Sequence, residues 1–413
     1  VTAFAETSTM EMRPSAAICE GFCTAICKRR QEMTLFPDSG GDPRAALARS
    51  AAVLAWYGAL GDTAVGNPPG FAARKASLAY ALCEFANVAD ADRDAVYFAG
   101  LLHAAGAIGN AAYRKGERLA ERHARMESWD VPAQGARLCE RLLTLPPQTA
   151  DMVRWQAECW DGTGYPDQLR WHGIPIPAQM LGLADAFLRQ ADPEEALGFV
   201  GMNSGRAFAP DATRTFTMWF HTNAGEVTTL PIPVDALRGE GASAAEILDD
   251  LADRVDEHNG VAQRWRRVAD LALGAAAQLD LDAAATASLS VAARIFGAGE
   301  LTSPDVEDTD FDPLARLGID QRAAHAKNAA DLAEPFDALR AGADVVRSRA
   351  EWFDGTGKPK GLLHAQIPMA ASVLAAAVAY ERLKRTERLD TASGTQFDPK
   401  VVRALMESAK ARA

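Results

Sequence analysis

Two stretches of this chain align without a gap: "VRWQAECWDGTGYPDQL" (Val153–Leu169) and "VRSRAEWFDGTGKPKGL" (Val346–Leu362). The match runs on through Ile174-Pro175 and Ile367-Pro368 into Ala-rich text with helical spacing. Further along, "NSGRAFAP" (Asn203–Pro210) pairs with "ASGTQFDP" (Ala392–Pro399). Upstream, "LLHAAGAIG" (Leu101–Gly109) pairs with "AARIFGAGE" (Ala292–Glu300). Four landmarks in the same order mean two diverged copies of one unit, each long enough to own a core, unlike the short repeats of a solenoid.

Periodicity gives the unit its class. From Ala46 onward, apolar residues recur at three- and four-residue spacing, as in Leu78, Leu82 and Phe85, which predicts helices. One segment reads differently. "TFTMWFHTNAGEVTTLPIP" (Thr215–Pro233) holds two β-prone runs around Asn223-Ala224-Gly225 and predicts a hairpin. The expected fold is all-α, two tandem helical bundles with a short β-hairpin segment between them. The expected boundaries are an N-terminal extension over 1–45 that is partly disordered, a first domain over 46–213, a linker over 214–241 and a second domain over 242–413.

Composition narrows the function. A chain of 413 residues with a net charge of −12 is a poor partner for nucleic acid or an anionic membrane. No apolar run approaches the roughly 20 residues of a membrane span, and the first residues lack a basic-then-apolar leader pattern. The expected location is cytoplasmic. Cys19, Cys23 and Cys27 recur every four residues. They are expected to line an apolar stripe of a helix rather than bind metal, because the spacing matches no common zinc or iron–sulfur signature.

With these motifs in hand, both copies resemble the HD-GYP family, the HD-superfamily branch that hydrolyses cyclic di-GMP. The resemblance covers about residues 60–215 and 255–410 and rests on Glu-x-x-Asp-Gly-Thr-Gly-Tyr-Pro, here Glu158–Pro166. It implies HD-domain-like bundles, each with a two- or three-metal centre of iron or manganese. In such a centre a metal-bound hydroxide attacks the phosphodiester while the metals absorb developing charge.

Carried over position by position, most of the implied ligands are missing. In the first copy the His-Asp doublet falls on His103-Ala104 and the lysine after it on Ala107. The upstream helix "FAARKASLAYAL" (Phe71–Leu82) has no histidine, the histidine before a proline falls on Val131, and the paired histidines fall on Gln156 and Ala157. His103 and the late aspartate Asp185 are the residual metal positions. Further ligands would have to come from places such as His123 or Glu158. In the second copy the doublet falls on Arg294-Ile295, the upstream histidine on Arg264, the paired histidines on Arg349-Ala350 and the late aspartate on Val378. Only His325 stands where a ligand would. Arginine stays protonated and cannot ligate a metal. No cofactor is therefore expected; if one binds, it is iron or manganese in the first copy.

Comparing the copies also sorts the loop. Glu158, Asp161, Gly162, Thr163, Gly164 and Pro166 all recur in the second copy, which has no plausible metal site, so these residues are expected to build the turn itself. Tyr165 is Lys358 in the second copy, and a solvent-facing tyrosine there suits a contact surface. In the family this loop is implicated in docking diguanylate cyclase domains, so the resemblance implies such a partner for Tyr165 with Trp160 and Trp171. The expected reading of the two tryptophans is that they pack beneath the loop. Arg264, Arg294, Arg349 and Lys358 would make an anion site for a phosphate-containing nucleotide if they converged; the competing reading is solvation or local pairing. Three functions follow for the whole: a non-catalytic signalling or docking module, a weak metal-dependent phosphodiesterase working from the first copy, or a purely structural partner.

Overall fold

The computed structural model describes residues 35–36, 42–109, 130–239, 241–302, 314, 318–383 and 387–411. Cys19, Cys23, Cys27 and His123 lie outside them. Fifteen α-helices are described, and the described residues contain no strand. In the first copy these are α1 (Pro43–Val65), α2 (Phe71–Phe85), α3 (Asp90–Leu101), α4 (Asp130–Arg141), α5 (Thr149–Trp155), α6 (Ile176–Leu188), α7 (Pro193–Met202) and α8 (Pro210–Asn223). In the second they are α9 (Ala244–His258), α10 (Arg264–Gln278), α11 (Ala283–Ile295), α12 (Ile319–Ala333), α13 (Asp337–Arg347), α14 (Met369–Arg382) and α15 (Pro399–Lys410).

The two series match in packing as well as in order. Helix α2 packs against α3 and α6, and α10 against α11 and α14. Helices α4 and α5 form a pair, as do α12 and α13. Helix α8 seats on α2 and α6, and α15 on α10 and α14. The copies also lean on each other. Helix α1 packs on α9 and touches α12, α13 and the 3₁₀ segment Phe296–Thr302 of the other copy. Its Tyr57 hydroxyl donates to Asp250 Oδ2 at 3.2 Å, and Arg141 and Arg254 meet the same carboxylate at 3.0 Å each.

The expected hairpin is absent. Thr215–Asn223 belongs to α8, and the reason is the spacing of its aromatics. Phe216, Trp219 and Phe220 stand three and four apart and are buried together. Their rings lie 5.5, 6.1 and 6.1 Å from that of Phe187, contacts worth about 0.5–1.5 kcal/mol each beyond area burial. Pro210 opens the helix, as Pro399 opens α15. The Ala224-Gly225 that resembles a hairpin turn ends the helix instead, with φ of 51° and 68°. Beyond it the chain runs without strand pairing along the first copy, where Leu230 N–H donates to Ser77 Oγ at 2.9 Å and Tyr97 Oη donates to Leu230 O at 2.9 Å.

The two DGTG loops are superimposable in their bonding. Glu158 accepts the amides of Asp167 (2.6 Å) and Leu169 (3.0 Å), and Glu351 those of Lys360 (2.7 Å) and Leu362 (2.9 Å). Asp161 Oδ1 accepts both the amide and the hydroxyl of Thr163, and Asp354 does the same with Thr356. A Cβ on Gly164 would sit 2.1 Å from Cys159 N, and one on Gly357 1.9 Å from Trp352 N, so neither position admits a side chain. Tyr165-Pro166 and Lys358-Pro359 are both cis. The later landmark closes the loop: Trp160 and Asp161 amides donate to Ala207 O and Arg206 O, and Phe353 and Asp354 amides to Gln396 O and Thr395 O.

Candidate functional site

In the first copy α2, α6, the end of α3 and the start of the DGTG loop converge on one buried centre. Its middle is occupied by Lys75, from the inward face of α2 and only 2% exposed. The Lys75 ammonium donates to Asp185 Oδ1 at 3.0 Å and to Gln156 Oε1 at 2.8 Å. Arg189, one turn after Asp185, donates to the same carboxylate through Nε at 2.5 Å and Nη2 at 3.2 Å. Burial alone would raise the carboxyl of Asp185, but the two cations hold it well below the ordinary carboxylate range. Burial pulls Lys75 down, and the charge of Asp185 opposes that.

His103 closes the centre from the end of α3, and its ring is fully engaged. Nδ1 donates to Gly100 O at 3.0 Å, so Nε2 is the acceptor of the Asn67 Nδ2 amide at 3.2 Å. Burial first, then the nearby Lys75 charge, push its pKa well below 6.5, so the ring is neutral. Asn67 also donates to Asp62 Oδ1 at 2.9 Å, and Asp62 Oδ2 accepts the Ala72 amide at 2.7 Å, capping α2 from a distance. Burial lifts Asp62 to about 6.

The second centre is built on the same plan with other residues. Asp256 Oδ2 accepts the Trp265 amide at 2.7 Å, as Asp62 does that of Ala72, so Arg264 takes the place of Phe71 and Val268 that of Lys75. Gly106 fits against the Val131 carbonyl as Gly299 does against that of His325, which makes Phe296 the counterpart of His103 and Val131 that of His325. This corrects the sequence register: Arg294 lies two residues short of that position. Arg264 grips Glu300 with three contacts of 3.0–3.3 Å, and its Nε lies 3.3 Å from Asp256 Oδ1. Burial lifts Asp256 to about 6.

The four expected anion-site cations do not meet. Arg294 turns away to Asp249 and to the backbone carbonyl and hydroxyl of Ser290, stacked over Trp265. Lys358 pairs with Asp320 near the surface. Arg264 and Arg349 do approach each other, both lying over the Phe296 ring at 5.1 and 5.6 Å. The loop aromatics also depart from expectation. Tyr165 is half-buried rather than solvent-facing, close enough to Arg189 to act on its charge. Trp160 packs on the core with its ring edge-on to His172, while Trp171 is 60% exposed and Ile176 54%.

A family model described as HD domain matches residues 60–196 and again 246–397, most of the chain. The protein belongs to the HD domain family. Its two HD domains stand in tandem, and the fold agrees with a solved structure. The crystal structure of a cyclic GMP-AMP specific phosphodiesterase in V. cholerae aligns with a TM-score of 0.61 and 18% identity, covering 87% of this chain and 97% of that one. At that identity the likeness is one of fold. No curated protein is similar enough to count as a match.

The metals implied by the HD-GYP resemblance do not fit the donors present. The one lone pair on His103 that could bind a cation accepts from Asn67, and the Asp185 oxygens are taken by Lys75 and Arg189. A divalent ion about 5 Å from the ammonium would meet a repulsion on the order of 7 kcal/mol at an effective dielectric of 20. Among the described residues, no group of three or more His, Cys, Asp or Glu is placed to hold a metal ion. Nor is any described helix long and apolar enough to cross a membrane. Lys75 fills this centre although none of the implied ligand positions falls on it. Its spacing from Phe71, Leu78 and Leu82 was in the text, but Arg74 beside it has similar spacing, and the structure shows that Lys75 is the buried one of the two.

Proposed function

We propose that the protein is a non-hydrolytic HD-domain protein, a binding and docking module of cyclic-dinucleotide signalling. The observation that carries this reading is the Lys75 ammonium held between Asp185 and Gln156. Hydrolysis of a phosphodiester needs a hydroxide and a cation that can share its charge with the phosphoryl oxygens. An ammonium tied to two protein oxygens offers neither. The membership of the HD domain family and the fold shared with a cyclic GMP-AMP phosphodiesterase support the signalling context. The exposed Trp171 and Ile176 beside the DGTG loop suit a docking face, for which the HD-GYP resemblance suggests a diguanylate cyclase-type domain.

The test is elemental analysis after anaerobic incubation with ferrous iron and manganese, alongside hydrolysis assays on cyclic di-GMP and cyclic GMP-AMP. The expected result is metal far below one per chain and no turnover above buffer. One or two metals per chain, lost together with turnover in His103→Ala, would overturn the reading.

A further inference from the structure

We propose that the second copy binds a phosphoryl group in a cavity built by Arg322, Arg349 and Arg382. The cavity has a volume of about 40 Å³, and its wall is completed by Trp352, Val378 and Gln396. It lies where the first copy has its Lys75–Asp185 pair. Arg349 takes the place of Gln156 and Arg382 that of Arg189, while Val378 stands where Asp185 would neutralise them. So the carboxylate at this position has gone and a guanidinium has been added.

One of the three, Arg349, has donors with an unmet need. Nε and Nη2 of Arg349 are buried and have no hydrogen-bond acceptor. Leaving buried donors of a charged group unsatisfied is costly, a cost that an oxyanion in the cavity would remove. Glu300, the acid whose charge acts on both Arg349 and Arg382, is gripped through both its oxygens by Arg264. Burial holds both Arg349 and Arg382 down to about 10, opposed by the Glu300 charge and reinforced by that of Arg264.

Geometry and charge select the ligand class. Planar guanidinium forks match the oxygens of a phosphoryl group, and three of them suit a dianion better than a carboxylate. The enclosed space is small, which favours a single such group over a nucleobase. All three arginines are partly exposed, so the rest of a larger ligand would lie toward solvent.

Two probes distinguish the sources of the phosphoryl group: inorganic phosphate, and guanosine 5′-monophosphate. Each is titrated calorimetrically into the full chain at constant ionic strength set with chloride, and the unfolding midpoint is followed in the same solutions. Saturable binding of one probe per chain is expected, with a matching rise in midpoint. Tighter binding of the nucleotide would mark a nucleotide site, and equal binding a free-phosphate site. Arg349→Gln, which installs the residue of the first copy, and Arg382→Gln should each weaken binding at least tenfold. Lys358→Gln, outside the cavity, should leave it unchanged. The proposal is overturned if neither probe binds or shifts the midpoint of the native protein at 10 mM, or if Arg349→Gln binds as the native chain does. Metal and hydrolysis results concern the first copy, so either outcome here leaves that reading standing or falling by its own test.

Discussion

Replacing Lys75 by methionine keeps most of the side chain's volume and removes its charge. Breaking a buried pair by deleting one partner costs about 3–5 kcal/mol, because the other charge stays behind. Asp185 would still hold Arg189, whose side chain is 44% exposed and pairs more weakly. The expected loss is therefore at the lower end, about 3 kcal/mol. The second copy shows how the fold manages without the pair, with Val268 and Val378 at the two positions. Adding Asp185→Val to Lys75→Met should accordingly restore about 2 kcal/mol, a coupling of the size contacting residues give. Urea unfolding of the native chain, both single variants and the double variant supplies the cycle. Additive single effects, or a neutral Lys75→Met, would refute the view that this ammonium is the charge on which the centre is built.

Asp62 predicts a pH signature. Its carboxyl is lifted by burial from 3.8 to about 6, so its contribution is whole below pH 3.8 and lost as pH rises through 6. The stability of the native chain relative to Asp62→Asn should thus fall by roughly 3 kcal/mol between pH 3.5 and 7.5 in urea titrations, and a flat difference would contradict the burial argument. Glu158→Ala and Glu351→Ala each strip two loop amides of a charged acceptor. Both should lower stability by about 3 kcal/mol to a similar degree, and a much larger effect in the first copy alone would give Glu158 a role beyond the turn. Tyr57→Phe removes one bond between the copies and should cost about 1 kcal/mol by thermal unfolding, with no change if the Asp250 contact is idle.

What was legible in the sequence followed from constraints that are local. The DGTG loop is specified by groups within about a dozen residues of one another, so Glu158 and Glu351 announce the same turn despite divergence around them. The hairpin reading failed because β-branched and aromatic residues carry a strand preference that tertiary packing overrides. The repeat already held the correction, since Pro210 aligns with the Pro399 that opens a helix. The Arg294 register slipped because an Ala- and Gly-rich segment offers few large side chains to anchor an alignment, and only the seat of Gly106 and Gly299 against the next helix resolves it. Charges that meet across the bundle were the least readable. Nothing in "FAARKASLAYAL" reveals that its lysine reaches a carboxylate 110 positions away, nor that Arg349 and Arg382 share one cavity.

Lys75 has one more consequence. A metal centre is a borrowed part: its occupancy follows supply, chelators empty it and oxidants change its charge. An ammonium tethered by its own four-carbon stem is always delivered, in a one-to-one ratio, with the chain that needs it. If the proposed metal-free reading holds, the centre of the first copy has no loaded and unloaded forms, and its rigidity is set when the chain folds, whatever the iron or manganese around it.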